Sequence, residues 1–413
     1  MNALVLKIVY LRKAFVNMAK ILITGNGFDL FHHLPTKYQH FMSVMKTIEN
    51  NQFNKEVSFE DLFGLEFKID SKYDYDAIIN NYNVENILFN HEKLNGIKEM
   101  LKDNLWYKYF SKVLEIDTWI DFEIEIENIL NQLIIFDNFK NKKHIKKNMF
   151  SDEFIGFTDF EVFNIISIVN HSGGFKMNDK YINRRNSSIN IKIILEDLAK
   201  SFEGFIIIFN RYLVDIVNVF YAQIKQKSVI DFDSISKIYT FNYTPTIENI
   251  YKVDKSKIVY LHGLIHEHSD KQNLVLGVSE VSENMKVNKA YDFTKYYQKV
   301  IKKSNSKFVY IPDEKIYNNN ETVFYIIGHS LDKSDKGYID DLFKFLDFDL
   351  GLNAKICVFY YDLNDKERKL KNLFSIIDKE IIVNMDKEER LYFVLLNDKN
   401  IKKEFSRDLY ELK

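Results

Sequence analysis

The sequence predicts an α/β protein built on a doubly wound parallel sheet that a large helical insertion interrupts. Short apolar runs recur at 20–24, 237–241, 258–261, 274–276, 323–327, 356–361 and 381–383. Runs of this kind suit strands buried on both faces of a sheet. Helical patterns separate several of them, at 245–251, 293–303, 335–346 and 366–377. Strands that alternate with helices argue for parallel pairing. The first run is divided from the others by a stretch from about 41 to 228 that holds no proline, which permits long helices.

The first run, Ile21, Leu22 and Ile23, ends at Gly25-Asn26-Gly27. Two glycines allow a sharp turn and a close approach by a ligand. Phe28, Leu30, Phe31 and Leu34 then follow at helical spacing. A strand, a glycine turn and a helix N-terminus can hold a phosphate. An unliganded βα turn fits the same residues. The six-residue dinucleotide fingerprint is incomplete, because Leu30 stands where its third glycine belongs.

In the insertion, 84–105 and 119–136 carry amphipathic stripes, and 189–224 is apolar enough for one long or two consecutive buried helices. Polar connectors at 138–148 and 178–190 lie between them. Asp121, Glu123, Glu125 and Glu127 form a solvated acidic face or part of a site. The expected divisions are a loose extension at 1–17, a first βα unit at 18–45, the helical insert at 46–228, the rest of the α/β domain at 229–390 and a helical tail at 391–413. Residues 1–17 have apolar stretches, but Lys7, Arg12 and Lys13 interrupt them, and translation starting at Met18 is expected.

The charge balance is even: 57 basic and 59 acidic residues give a net charge of −2. That argues against nucleic-acid and membrane-surface partners. The single cysteine, Cys357, excludes intrachain disulfides and cysteine-based zinc sites, so a cytoplasmic location is expected. The apolar window 202–224 is broken by Glu203, Arg211 and Asp215 and reads as a core helix.

Ligands of open α/β sheets bind beyond the carboxyl ends of the strands. There this sequence places Gly25 to Asp29, Asn242 to Thr244, His262-Gly263, Gly277, and Gly328-His329-Ser330. Thr244 before Pro245 also reads as a helix N-cap with proline at N1. His262 at a strand end suits a general base; with His266 and His268 it also suits a metal, although no acidic partner supports that. Residues 293–300, with Lys295 and Gln298, read as a segment closing over the cleft or as an ordinary amphipathic helix.

The stretch ILITGNGFDLFHHLPTKYQHF resembles the opening of the phage abortive-infection AbiH family, and FNYTPTIENIY, VYLHG, LVLGVS and FYIIGHSLDKSD resemble later parts of it in the same order. The series is also similar to sirtuin-like nucleotide-binding domains, which implies a Rossmann-type sheet and NAD as substrate or ligand, without a metal. By that resemblance Gly25, Asn26, Gly27 and Phe28 border the pyrophosphate, and Pro35 matches the proline after the turn. Asn242 matches the asparagine near the nicotinamide ribose, beside Thr240. His262, followed by Gly263, matches the catalytic histidine, while Gly328, His329 and Ser330 hold the adenosine side. Asp29 is assigned to catalysis with Asn242 and His262, as a helix cap, a ribose ligand or an aid to His262. The four zinc-binding cysteines of deacylase sirtuins are missing, Thr244 replaces an expected aspartate, and Asp29 stands where serine is usual.

The function expected from this is antiphage abortive infection through NAD hydrolysis, with a non-catalytic NAD or ADP-ribose sensor and a toxin acting on nucleic acid as alternatives. A nucleotide, a homo-oligomeric copy and a phage-derived trigger are the expected partners.

Overall fold

The computed structural model describes residues 19–116, 120–142, 157–169, 174–183, 188–225, 230–268, 271–304, 308–309, 322–347 and 354–406. The extension 1–17, Met18, Trp119, most of the 138–148 connector, part of the 178–190 connector, Pro312 and residues 407–413 lie outside them. The chain divides into two compact units. One comprises 1–32, 226–261 and 305–413, and the other 33–225 and 262–304.

Among the described residues of the first unit, six strands form one parallel sheet. They are β1 (Ala19–Thr24), β2 (Lys237–Thr240), β3 (Ile258–Tyr260), β4 (Thr322–Ile327), β5 (Ala354–Tyr360) and β6 (Leu391–Leu395). Their spatial order is β6-β5-β4-β1-β2-β3, and every neighbouring pair is parallel. The order reverses between β1 and β4. Alternation along the strands splits the apolar side chains between two cores. Ile21, Ile23, Phe324, Ile326, Ile356 and Val358 face one core. Leu22, Val323, Tyr325, Cys357 and Phe359 face the other.

Helices cover both faces: α1 (Asn26–Phe31), α2 (Thr246–Tyr251), α3 (Lys336–Asp347), α4 (Leu363–Ile376), α5 (Lys379–Lys387) and α6 (Asp398–Ser406). Ile339 and Leu342 of α3 and Ile382 of α5 pack on the first core, while Ile401 and Phe405 of α6 pack on the second. Lys20 explains itself here. Its ammonium donates to the carbonyl of Phe405, and Tyr325 donates to that of Glu404 at 2.9 Å, so β1 and β4 both hold α6.

Two expected strands are corrected. Residues 381–383 lie inside α5, where Ile382 and Met385 share a buried helical stripe. Residues 274–276 do not join the sheet; they belong to the second unit. The expected tail at 391–413 begins instead with the edge strand β6, whose residues pair with Ile356 to Tyr360.

The second unit is mainly helical, with two small antiparallel hairpins, Val57–Ser58 with Leu88–Phe89 and Ile166–Val169 with Gly174–Met177. The strand at Leu88–Phe89 interrupts the helix expected over 84–105, which survives as His91–Lys102. The spine is Ile191–Asp215, whose Phe205 is wrapped by Phe41, Phe110 and Phe122. The stretch Ile191–Ala222 is long and apolar enough to cross a membrane, but 67% of its most apolar window is buried within the protein. Asn210 inside it is fully buried and pairs with the backbone of His266 through both amide atoms, at 2.8 and 3.0 Å.

Candidate functional site

The point where strand order reverses lies between β1 and β4, the place where open α/β sheets bind ligands, and here the two following loops lie against each other. After β1 comes Gly25-Asn26-Gly27, and after β4 comes Gly328-His329-Ser330. These loops pack tightly. A Cβ on Gly25 would stand 2.8 Å from the Cα of His329, and one on Gly27 would stand 2.7 Å from the Cα of Gly328. Gly328 has φ +70°, and its Cβ would meet the amide nitrogen of Phe28 at 2.1 Å. Close backbone contact therefore requires all three glycines, before any ligand is considered.

The turn amides are engaged as well. Gly25 N–H donates to Ile327 O at 3.1 Å, Gly27 N–H to Gly328 O at 2.8 Å, and Phe28 N–H to Gly25 O at 2.8 Å. These three amides are thus spent within the two loops. The Phe28 ring is fully buried against His32, Phe232 and Tyr251. Asn26 and Ser330 are the exposed members of the two loops. His329 is buried; its Nδ1 accepts from Leu331 N–H at 2.9 Å, and its Nε2 lies 3.4 Å from Asp335. In the neutral ring that leaves the proton on Nε2. Its ring centroid is 4.2 Å from that of Phe241.

Asp29 and the loop after β2 form the polar centre. Asp29 is buried in α1, and Thr244 and Thr246 donate their hydroxyls to its two oxygens at 2.5 and 2.6 Å. Asn242 also hydrogen-bonds this carboxyl, and a carboxylate accepts only from the amide Nδ2. The other end of that amide, Oδ1, is buried without a hydrogen-bond partner among the described residues. Thr240 sets the loop: its hydroxyl accepts from Asn242 N–H at 3.1 Å and meets that of Thr24 at 2.9 Å. Thr244 is thus not the helix cap expected from Thr-Pro. Pro245 precedes α2 with no side-chain cap, and the Thr244 hydroxyl is turned to Asp29.

Burial pushes the Asp29 carboxyl from 3.8 up to about 6, against the pull of the Thr244, Thr246 and Asn242 hydrogen bonds. The native state therefore holds a proton here that the unfolded chain has lost. Below about pH 4 both states are protonated; stability then falls as pH rises towards 6, by ~3 kcal/mol in all. Asp29→Asn removes the titration. Denaturant unfolding of both proteins should show the wild type losing roughly that much relative to the variant between about pH 4 and 6.5. A difference that stays flat with pH would show that Asp29 titrates normally.

Pro35, His262 and Gly263 belong to the second unit. The Pro35 carbonyl accepts from Tyr212 Oη at 2.5 Å. His262 is buried, and its carbonyl accepts from Val275 N–H at 2.9 Å. Gly263 has φ +85°, and a Cβ there would stand 2.1 Å from Asn273 O. Nδ1 of His266 accepts from His268 N–H at 3.0 Å.

The α/β unit thus gathers Gly25, Asn26, Gly27, Asp29, Thr240, Asn242, Gly328, His329 and Ser330 at one sheet edge. Sequence reasoning missed Thr244 and Thr246 as the partners of Asp29. The available signal was a lone acidic residue in the apolar GFDLF stretch and a Thr-Pro-Thr run directly after Asn242 and Tyr243.

Fold and site define an α/β protein with a buried polar cluster at the switch edge of a parallel sheet. A family model described as bacteriophage abortive infection AbiH matches residues 21–360, and the chain belongs to that family. The membership suggests a role in phage defence by abortive infection. A search of curated proteins finds no match, and none is found among solved structures.

Proposed function

We propose that the chain acts in abortive infection by binding NAD at the β1/β4 edge and hydrolysing its nicotinamide–ribose bond. The observation that carries this reading is the buried Oδ1 of Asn242, which has no hydrogen-bond partner among the described residues. A buried acceptor left open costs about 1–3 kcal/mol, which favours a ligand that brings a donor to it. Oδ1 accepts and cannot donate, which suits a ribose hydroxyl or a carboxamide N–H and excludes a phosphate oxygen at that atom. The strand order supports a dinucleotide, since it is the order of the sheets that bind dinucleotides at their switch point. The similarity to sirtuin-like domains points to NAD among them.

In this reading Asp29, Thr244 and Thr246 position Asn242, which orients the ribose. Gly25, Gly27 and Gly328 keep the two loops in contact, and the exposed Asn26 and Ser330 line that edge, with His329 behind them. Thr240 fixes the loop. Cleavage passes through an oxocarbenium-like transition state, as in glycoside hydrolysis. Nicotinamide departs from a cationic ring, so its departure needs no acid. A base that activates water remains necessary, and the resemblance to sirtuin-like domains assigns that role to His262, two residues beyond β3 in the chain; Gly263 and Pro35 shape the backbone of their own segments. General-base help of this kind contributes about 10²–10⁴-fold.

One observation favours a sensor instead: Asp29, the carboxyl at this edge, is clasped by two threonines and an asparagine rather than offered to water. A sensor would bind NAD or an ADP-ribose derivative without turnover. Calorimetry with NAD, combined with chromatography of released nicotinamide, separates the two. Hydrolysis predicts release by the wild type and about 10²-fold less by a folded His262→Ala variant that still binds NAD. Binding without release identifies the sensor, and absence of both overturns the nucleotide reading.

A further inference from the structure

Helix Lys295–Lys302 in the second unit is inverted for a surface helix. Its residues Lys295, Gln298 and Lys299 are buried, while Tyr296 is 73% exposed, Tyr297 39%, Val300 60% and Ile301 62%. The inward polar face has a definite task. Among the described residues the segment 274–276 joins no sheet, and beyond the bond from Val275 N–H to His262 O, side chains complete its backbone hydrogen bonds. Gln298 accepts from Leu276 N–H at 3.2 Å and donates to Leu276 O at 2.6 Å and Asp292 O at 2.9 Å. Lys302 donates to Leu274 O at 2.9 Å and pairs with Glu203 at 3.0 Å. Lys295 pairs with Glu123 at 2.9 Å. Rolling the helix over would strip the backbone of buried Leu274 and Leu276 of these partners, at about 1–3 kcal/mol for each group, and would break the ion pairs with Glu123 and Glu203. The apolar face is therefore locked outward. This also replaces the expectation that Lys295 and Gln298 close over a cleft.

Tyr291 extends the outward face, its ring 6.3 Å from that of Tyr297. Five exposed apolar and aromatic side chains in one place reach several hundred Å², the range that marks an interaction surface. We propose that this face pairs with the same face of a second copy of the chain, the two helices running antiparallel across a two-fold axis. Positions 296, 297, 300 and 301 are symmetric about their midpoint, so Tyr297 of one copy meets Val300 of the other and Tyr296 meets Ile301. That self-complementarity is what an isologous contact needs.

The ends agree with the same arrangement. Exposed Asp292 precedes the helix and exposed Lys303 follows it. Antiparallel pairing sets each Asp292 beside the partner's Lys303 and opposes the helix dipoles, whereas parallel pairing would bring like charges together. The patch is smaller than the ~800 Å² per partner of a stable interface, which predicts a dimer of roughly micromolar Kd.

Analytical ultracentrifugation of the full chain tests this. The wild type should self-associate, and a Val300→Glu/Ile301→Glu double variant with unchanged circular dichroism should be monomeric at the same concentration. Asp292→Lys and Lys303→Asp should each weaken the dimer by about 5-fold or more, and combining them should restore it. A wild type that stays monomeric to ~100 µM overturns the proposal. So does a dimer that survives the glutamates, or one that the paired charge swap fails to restore.

Discussion

Asn242→Ala should leave the protein folded and remove NAD binding or turnover by roughly 10²-fold, the effect of losing one buried hydrogen bond to a ligand. The separation between fold and function follows from the two ends of the amide. Among the described residues it reaches only Asp29, through Nδ2, and Thr244 and Thr246 still satisfy that carboxyl in the variant. The stability loss should be about 1 kcal/mol. At Oδ1 the protein supplies no partner among the described residues, so the functional loss falls on whatever binds there. Calorimetry with NAD and a thermal melt on the same sample check both parts. Unchanged NAD affinity in the folded variant would remove Asn242 from the site.

Gly328→Val has the opposite character, with a loss of fold. The backbone there has φ +70°, which β-branched residues avoid, and the added Cβ would lie 2.1 Å from Phe28 N and 2.4 Å from the carbonyl carbon of Gly27. Neither neighbour can move, because Gly27 N–H is bonded to Gly328 O at 2.8 Å and the Phe28 ring is fully buried. Strain and overpacking together should exceed ~4 kcal/mol, and soluble yield and cooperative melting should both be lost. Gly96→Ala is the control. Gly96 lies within helix His91–Lys102, nothing stands within 4 Å of its would-be Cβ, and alanine should stabilise the helix by about 1 kcal/mol. A well-folded Gly328→Val protein would show that the β1 and β4 loops are not packed as described.

The first strand, its glycine turn and the later parallel strands were legible because a strand buried on both faces needs an unbroken apolar run, and a turn that touches another backbone needs glycine. Residues 274–276 carried the same apolar signal, yet an apolar run does not say whether sheet neighbours or side chains will complete its hydrogen bonds. Here Gln298 and Lys302 do so. Residues 381–383 misled for a related reason: three apolar residues fit a strand and a helical stripe equally, and only Met385, one turn on, tips the balance. The clasp of Asp29 was the hardest feature to read. Its partners lie 215 and 217 positions away, and Thr244 before Pro245 has a local explanation that the fold does not use. The glycine turn was recognised for a ligand role, while its visible work is contact with Gly328 and His329.

NAD concentration in cells during phage challenge tests the central claim most directly. With the wild-type chain, NAD should fall after infection and before lysis; with folded Asn242→Ala it should hold steady and phage should multiply. Abortive infection that proceeds with NAD unchanged, or NAD loss that is equal in the two strains, would contradict the account.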